Sequence, residues 1–222
     1  MKKVLLSCAI ALSLSTAFAQ KGLHIGATVT PGTSWMFNKD DSDAGEEYNY
    51  VGTFGITGGF STDYHFTDGV GVGFDILYSR HSQKFESYGI GFEKRNNYLK
   101  IPVLLHFNTS SESVGMFKGY IGPSFNILTN ADVLDANGNS ISIPGLSGLY
   151  EDGYKKMNIN FVLAFGAGFN ITDFLQASAM LRLEGSPFNS EEEDYFAANR
   201  AVTRNAFGGI EIGFKYVLRT GR

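Results

Sequence analysis

The sequence predicts an all-β protein, an eight-stranded antiparallel up-and-down transmembrane β-barrel. Three observations predict it. Apolar residues recur with period two in eight segments. The connections between those segments alternate short and long, as in a meander with one tight rim and one free rim. The non-apolar parity of the strands is small and mixed, unlike a solvated protein surface.

The segments follow in order. Leu23, Ile25, Ala27 and Val29 alternate with His24, Gly26, Thr28 and Thr30. Phe54, Ile56, Gly58 and Phe60 alternate with Thr53, Gly55, Thr57, Gly59 and Ser61. Val70, Val72, Phe74, Ile76 and Tyr78 oppose Gly71, Gly73, Asp75, Leu77 and Ser79. The run "NNYLKIPVLLHFN" (96–108) puts Leu99, Ile101, Val103, Leu105 and Phe107 on one face and Lys100, Pro102, Leu104 and His106 on the other. Ile121, Phe125 and Ile127 follow, against Tyr120, Gly122, Ser124 and Asn126. The clearest alternation runs from Met157 to Asn170, and two more end the chain at 175–184 and 209–218.

Short connections are predicted at 65–70, 108–116 and 170–174, and long ones at about 32–50, 80–95, 129–156 and 185–203. Pro102 removes a ladder bond from a strand with neighbours on both sides. A bulge or an unpaired neighbour is therefore expected there, with Pro123 close to opposite it.

Two closures satisfy the periodicity. A soluble, lipocalin-like exported barrel would turn its apolar face inward, whereas a membrane barrel turns it to lipid. The other parity carries Gly, Ser, Thr, Ala and Asn with single charges of both signs: Asp75, Lys100, Lys118, Arg182, Glu184, Glu211 and Lys215. A water-facing surface would hold far more Lys and Glu, while a narrow interior needs small residues and paired charges. Asp75, Lys100, Arg182, Glu184, Glu211 and Lys215 are thus expected to form an interior charge network, with Lys100 directed at a carboxylate such as Asp75. Tyr64, Phe66, Phe107, Phe117, Phe174 and Tyr216 fall near strand ends, where interfacial girdles lie.

The chain of 222 residues opens with Lys2 and Lys3, an apolar run from Val4 to Leu14, and Ala17-Phe18-Ala19. That is the pattern of a cleavable signal peptide, 1–19, leaving 20–222 as the barrel domain. Cleavage would remove Cys8, the only cysteine, and with it any disulfide or thiolate site. Without Lys2 and Lys3 the 18 basic residues fall to 16 against 22 acidic ones, a net charge of −6. No nucleic-acid partner is expected from such a balance.

"YLKIPVLLHFN", "GYIGPSFNIL" and the ending "NAFGGIEIGFKYVL" resemble the small outer-membrane β-barrel family labelled porin-family or PorT-like. The resemblance spans essentially the whole mature chain. It implies outer-membrane location and contact with lipid and lipopolysaccharide. For function it implies a structural or surface-interaction role, or a part in protein secretion. Such barrels usually end on an aromatic residue; this chain continues past Phe214 and Tyr216 as "VLRTGR".

"NKDDSDAGEE" (38–47) and "EEED" (191–194) are acidic, but they lack the fixed ligand spacing of a calcium loop and are expected to be solvated outer loops. Among His24, His65, His81 and His106, only His81 is placed near the outer rim, and no spacing supplies it with an oriented acid. "GVGVGF" (69–74) runs into a strand and is no phosphate loop. No cofactor, metal or catalytic residue is expected. The expected function is a non-enzymatic envelope barrel working structurally or through its long outer loops, where a protein partner would bind. A narrow porin and a secretion component are the alternatives.

Overall fold

The computed structural model describes residues 22–45, 49–67, 69–88, 90–109, 115–141, 149–192 and 200–219. The expected signal segment 1–19 lies outside the described residues, as do Glu46, Glu47, Glu193, Asp194 and the tail after Arg219.

Among the described residues nine strand segments form: β1 (Gly22–Phe37), β2 (Asn49–Val51), β3 (Thr53–His65), β4 (Val70–Ser87), β5 (Ile90–Asn108), β6 (Gly115–Asp135), β7 (Met157–Asn170), β8 (Leu175–Gly185) and β9 (Arg204–Arg219). Eight of them close a ring in the order β1-β3-β4-β5-β6-β7-β8-β9 and back to β1, every pairing antiparallel. β2 is a short continuation of β3 along β4, set off at Gly52 by a one-residue change of register from Ile56↔Arg80 to Val51↔Lys84. Closure leaves no edge strand in the ring, so its backbone groups find partners without water.

The period-two pattern sorts the side chains as expected. Phe54, Phe60, Phe74, Ile121, Phe161, Ile210 and Phe214 stand exposed on the outer wall. Thr57, Ser61, Ser79, Ser124, Asn126 and Asn160 are buried inside. The ten steps from Phe54 to Tyr64 rise roughly 33 Å along β3 at about 3.3 Å per residue, or about 25 Å across the wall once the strand is tilted by ~40°. That is the height of a membrane's apolar layer. Tyr64, Phe66, Phe107, Phe117, Phe174 and Tyr216 are all exposed at the short-turn end of the wall, and the rings of Phe174 and Tyr216 lie 5.4 Å apart. No described helix is long and apolar enough to cross a membrane.

The strands outrun their apolar pattern at the other end. The connection expected at 80–95 is a hairpin: β4 continues to Ser87, Tyr88 turns with φ 48°, and β5 begins at Ile90. Above the membrane the outer face no longer has to be apolar, so "RHSQKFES" pairs as strand without showing the alternation. β6 likewise extends to Asp135, past a bulge where the register of β5 and β6 shifts between Asn97 and Tyr98.

The prolines interrupt the ladder on one side each. Pro102 pairs with Ser124 on β6, but pairing with β4 lapses between Phe74↔Val103 and Leu77↔Lys100. Pro123 pairs with Phe161 on β7, while pairing with β5 lapses between Pro102↔Ser124 and Leu105↔Ile121. Pro31 behaves the same way toward β9, between Val29↔Ile212 and Gly32↔Gly209. Each proline lacks the N–H that its neighbour would accept. Beside Pro123, Gly122 lets the two strands press together: a Cβ there would stand 2.0 Å from the Val103 carbonyl oxygen.

Candidate functional site

The barrel interior is packed by side chains whose height is set by register. Arg182 on β8 lies opposite Ala164 on β7 and Gly209 on β9, two small neighbours that leave space for its guanidinium. It pairs with Glu211 on the adjacent strand β9, Nη1 to Oε2 3.0 Å, and approaches Glu184 on its own strand, Nη2 to Oε2 3.6 Å. The Tyr120 hydroxyl donates to the same Glu211 oxygen at 2.6 Å and accepts from Arg182 Nη1 at 3.1 Å. Lys100 on β5 reaches Glu184 on β8, Nζ to Oε1 2.5 Å, and lies 2.8 Å from His81 Nε2. Asn160 Nδ2 donates to Glu184 Oε1 at 2.7 Å. A buried apolar cluster of Leu104, Tyr120, Val162, Ala164 and Met180 packs beside these charges.

Four of the six residues expected in an interior charge network therefore meet: Lys100, Glu184, Arg182 and Glu211. Lys215 is inside but pairs with Asp63 instead. Asp75 is buried and accepts from Ser61 Oγ at 2.7 Å and from the Thr62 N–H at 3.2 Å. The expected Lys100–Asp75 approach is thus corrected. Lys100 pairs with Glu184, because strand stagger brings residues of β5 and β8 to one level, and Asp75 is engaged by its own neighbour β3.

A second group lies toward the short turns. Asp63 Oδ2 is 2.9 Å from His24 Nδ1 and 2.9 Å from His65 Nε2, and Oδ1 holds Lys215. Lys118 donates to Gln176 Oε1 in the same region. Sequence reasoning missed Asp63 because the second apolar alternation stops at Ser61, and so it left the inward-facing His24 without its acid partner. The available signal was the Asp63-x-His65 spacing, which puts both residues on the inward parity of one strand, with His24 on the inward parity of another. His81, expected near the rim, is fully buried within the wall of β4, since that strand continues for six residues beyond it.

The outer rim is tied by a third group. Asn38 caps the short helix Lys39–Asp43, its Oδ1 accepting from the Asp40 and Asp41 N–H groups. Its amide also donates to the Ala201 carbonyl at 2.6 Å and to Thr203 Oγ1 at 2.7 Å. Arg200 grips Asp41 through Nη1 and Nη2, each at 2.9 Å, and Glu191 through Nε at 2.8 Å. Lys94 Nζ adds a 3.6 Å approach to Asp41. Burial opposes the Arg200 charge, but Glu191 and Asp41 outweigh it and hold the guanidinium protonated above the ordinary arginine range. The acidic loops expected to be simply solvated thus place two carboxylates, Asp41 and Glu191, in buried ion pairs.

A sequence profile described as an outer membrane protein beta-barrel domain matches residues 18–187, more than half of the chain. The chain belongs to that family. Its location is the outer membrane, and the exposed aromatic and aliphatic wall is its lipid-facing surface. No curated protein sequence matches it. Among solved structures it is similar to Neisserial surface protein A, with 13% identity over 90% of this chain and 100% of that one, TM-score 0.47. OprG from Pseudomonas aeruginosa gives 11% identity over 91% and 98%, TM-score 0.48. Ail, the attachment invasion locus protein of Yersinia pestis, solved with the heparin analogue sucrose octasulfate, gives 14% over 88% and 98%, TM-score 0.42.

Proposed function

We propose that this outer-membrane barrel is closed to solutes, has no catalytic role, and acts at the cell surface through its tied outer rim. The observation that carries the reading is the buried Lys100–Glu184 pair and Tyr120–Glu211 hydrogen bond across the lumen, with Arg182 paired to Glu211 beside them. A solute path would require those charges to part, and each would then be left buried and unpaired. The interior charges, Asp75 and Lys215 included, act as a structural plug in this reading.

The rim supports the second half. Arg200, Asp41, Glu191 and Asn38 hold the first and last outer connections in one arrangement, which is the preorganisation a binding surface needs. Lipid and lipopolysaccharide surround the wall, and a protein partner would dock on the rim. Residues 1–19 are taken as the cleaved export signal.

Two measurements test this. Purified protein in planar bilayers should give flat current traces across a range of voltages; stepwise conductance would replace the plug with a pore. Cells carrying a barrel whose 38–45 and 186–192 segments are replaced by short turns should keep the folded, heat-modifiable species but lose surface attachment. Attachment unaffected by that exchange would remove the rim from the function.

A further inference from the structure

The geometry points to a binding site for a divalent transition-metal ion of the zinc class, formed by His24, Asp63 and His65 at the short-turn end of the interior. One ring nitrogen of each histidine and one Asp63 oxygen all lie within 4.8 Å of one another, and all three residues are buried.

Register builds this group. His24 sits directly opposite Asp63 across β1 and β3. His65 is two residues further along β3 and so shares Asp63's face. Facing them, β4 contributes only glycine. A Cβ at Gly71 would stand 2.9 Å from His65 Cγ and Nδ1, and one at Gly73 would stand 2.3 Å from His106 Nε2. The two glycines are therefore the space into which the imidazoles of His65 and His106 fold. His106 brings a third ring beside His65, with centroids 6.0 Å apart, and its Nε2 has no hydrogen-bond partner.

The donor chemistry fits such an ion. Two imidazole nitrogens and a carboxylate oxygen are a common zinc donor set. Tetrahedral zinc with bonds of about 2.0–2.1 Å sets its donors roughly 3.3 Å apart, so side-chain rotations that shorten a 4.8 Å separation by roughly 1.5 Å close the set. Lys215 holds Oδ1 of Asp63 and leaves Oδ2 turned to the rings. Asn108 Nδ2 lies 3.5 Å from both ring nitrogens of His65, and a half-turn of that amide offers its oxygen, which has no hydrogen-bond partner, to the Nδ1 proton when Nε2 holds the metal. That is how a metal-bound histidine is usually steadied. His106 is placed to supply a further nitrogen.

The test uses the refolded barrel in detergent micelles with metal chloride alone. Calorimetry with Zn²⁺ should give one ion per chain, and Co²⁺ should give the intense visible band of a four-coordinate site. His65→Ala and Asp63→Asn, each checked for heat-modifiable mobility, should weaken Zn²⁺ at least about tenfold. Lys215→Met should bind more tightly, since it removes a competing cation from Asp63; a purely structural ion pair would give no such gain. If Asp63→Asn fails to fold, the Co²⁺ spectrum of the unaltered chain decides. A spectrum that stays that of the hydrated ion, or equal Zn²⁺ affinity in wild type and folded His65→Ala, overturns the site.

Discussion

Lys100 and Glu184 meet inside the barrel, Nζ 2.5 Å from Oε1, although β5 and β8 are separated by β6 and β7 around the ring. Only a closed wall brings them together. The pair therefore reports on closure itself, and its removal has a defined signature. Glu184→Gln alone leaves Lys100 buried without its carboxylate and should destabilise the barrel by roughly 3–5 kcal/mol. The double variant with Lys100→Met should recover most of that loss. Denaturant unfolding from lipid vesicles, read as the fraction with folded gel mobility, measures both; equal losses in single and double variants would deny the coupling.

Gly122 predicts a steric failure. Alanine there would drive its methyl into the Val103 carbonyl, whereas alanine at Gly185 meets nothing within 4 Å. Gly122→Ala should lower folding yield sharply or cost more than about 2 kcal/mol, and Gly185→Ala should fold as the parent does. Refolding yields of the two variants side by side give the answer.

Arg200 predicts a local effect. Arg200→Ala leaves Asp41 and Glu191 buried without their shared cation. Limited proteolysis should then cut within 38–45 and 186–192 at least several-fold faster, while the membrane-embedded strands stay protected. Unchanged cleavage rates would mean the rim is held by other contacts, such as those of Asn38.

Asp135 predicts a pH dependence. Its carboxylate accepts the Asn139 N–H at 2.8 Å and the Asn137 N–H at 2.9 Å, and the bond from Asn139 is the main reason its pKa lies below the ordinary 3.8. A depressed folded pKa means the turn is fully stabilised above 3.8 and loses that support as pH falls through the lower folded value. Amide exchange at Asn137 and Asn139 should accelerate in that acid window relative to the intrinsic rate. Asp135→Asn should flatten the response.

Much of the wall was legible because it depends on an alternation that each strand carries within itself. Leu99 through Phe107 read as one apolar face in the sequence and stand on one face in the barrel. The prolines were legible for the same reason: a missing N–H is a property of the residue, and its consequence at Pro102 is one lapsed stretch of ladder. The outer hairpin 80–95 was not legible, because polar strands above a membrane pair through their backbones and leave no periodic signature.

The interior divides along the same line. The sequence by itself determined which residues face inward, since parity follows from the pleat. It also determined that inward charges of both signs must find one another, since burial without a partner is costly. Which charge meets which was decided only by the closed tertiary structure. Shear and strand tilt set the heights at which distant strands coincide. These sent Lys100 to Glu184 rather than Asp75, gave Lys215 to Asp63, and gathered His24, Asp63 and His65 from two strands around one point.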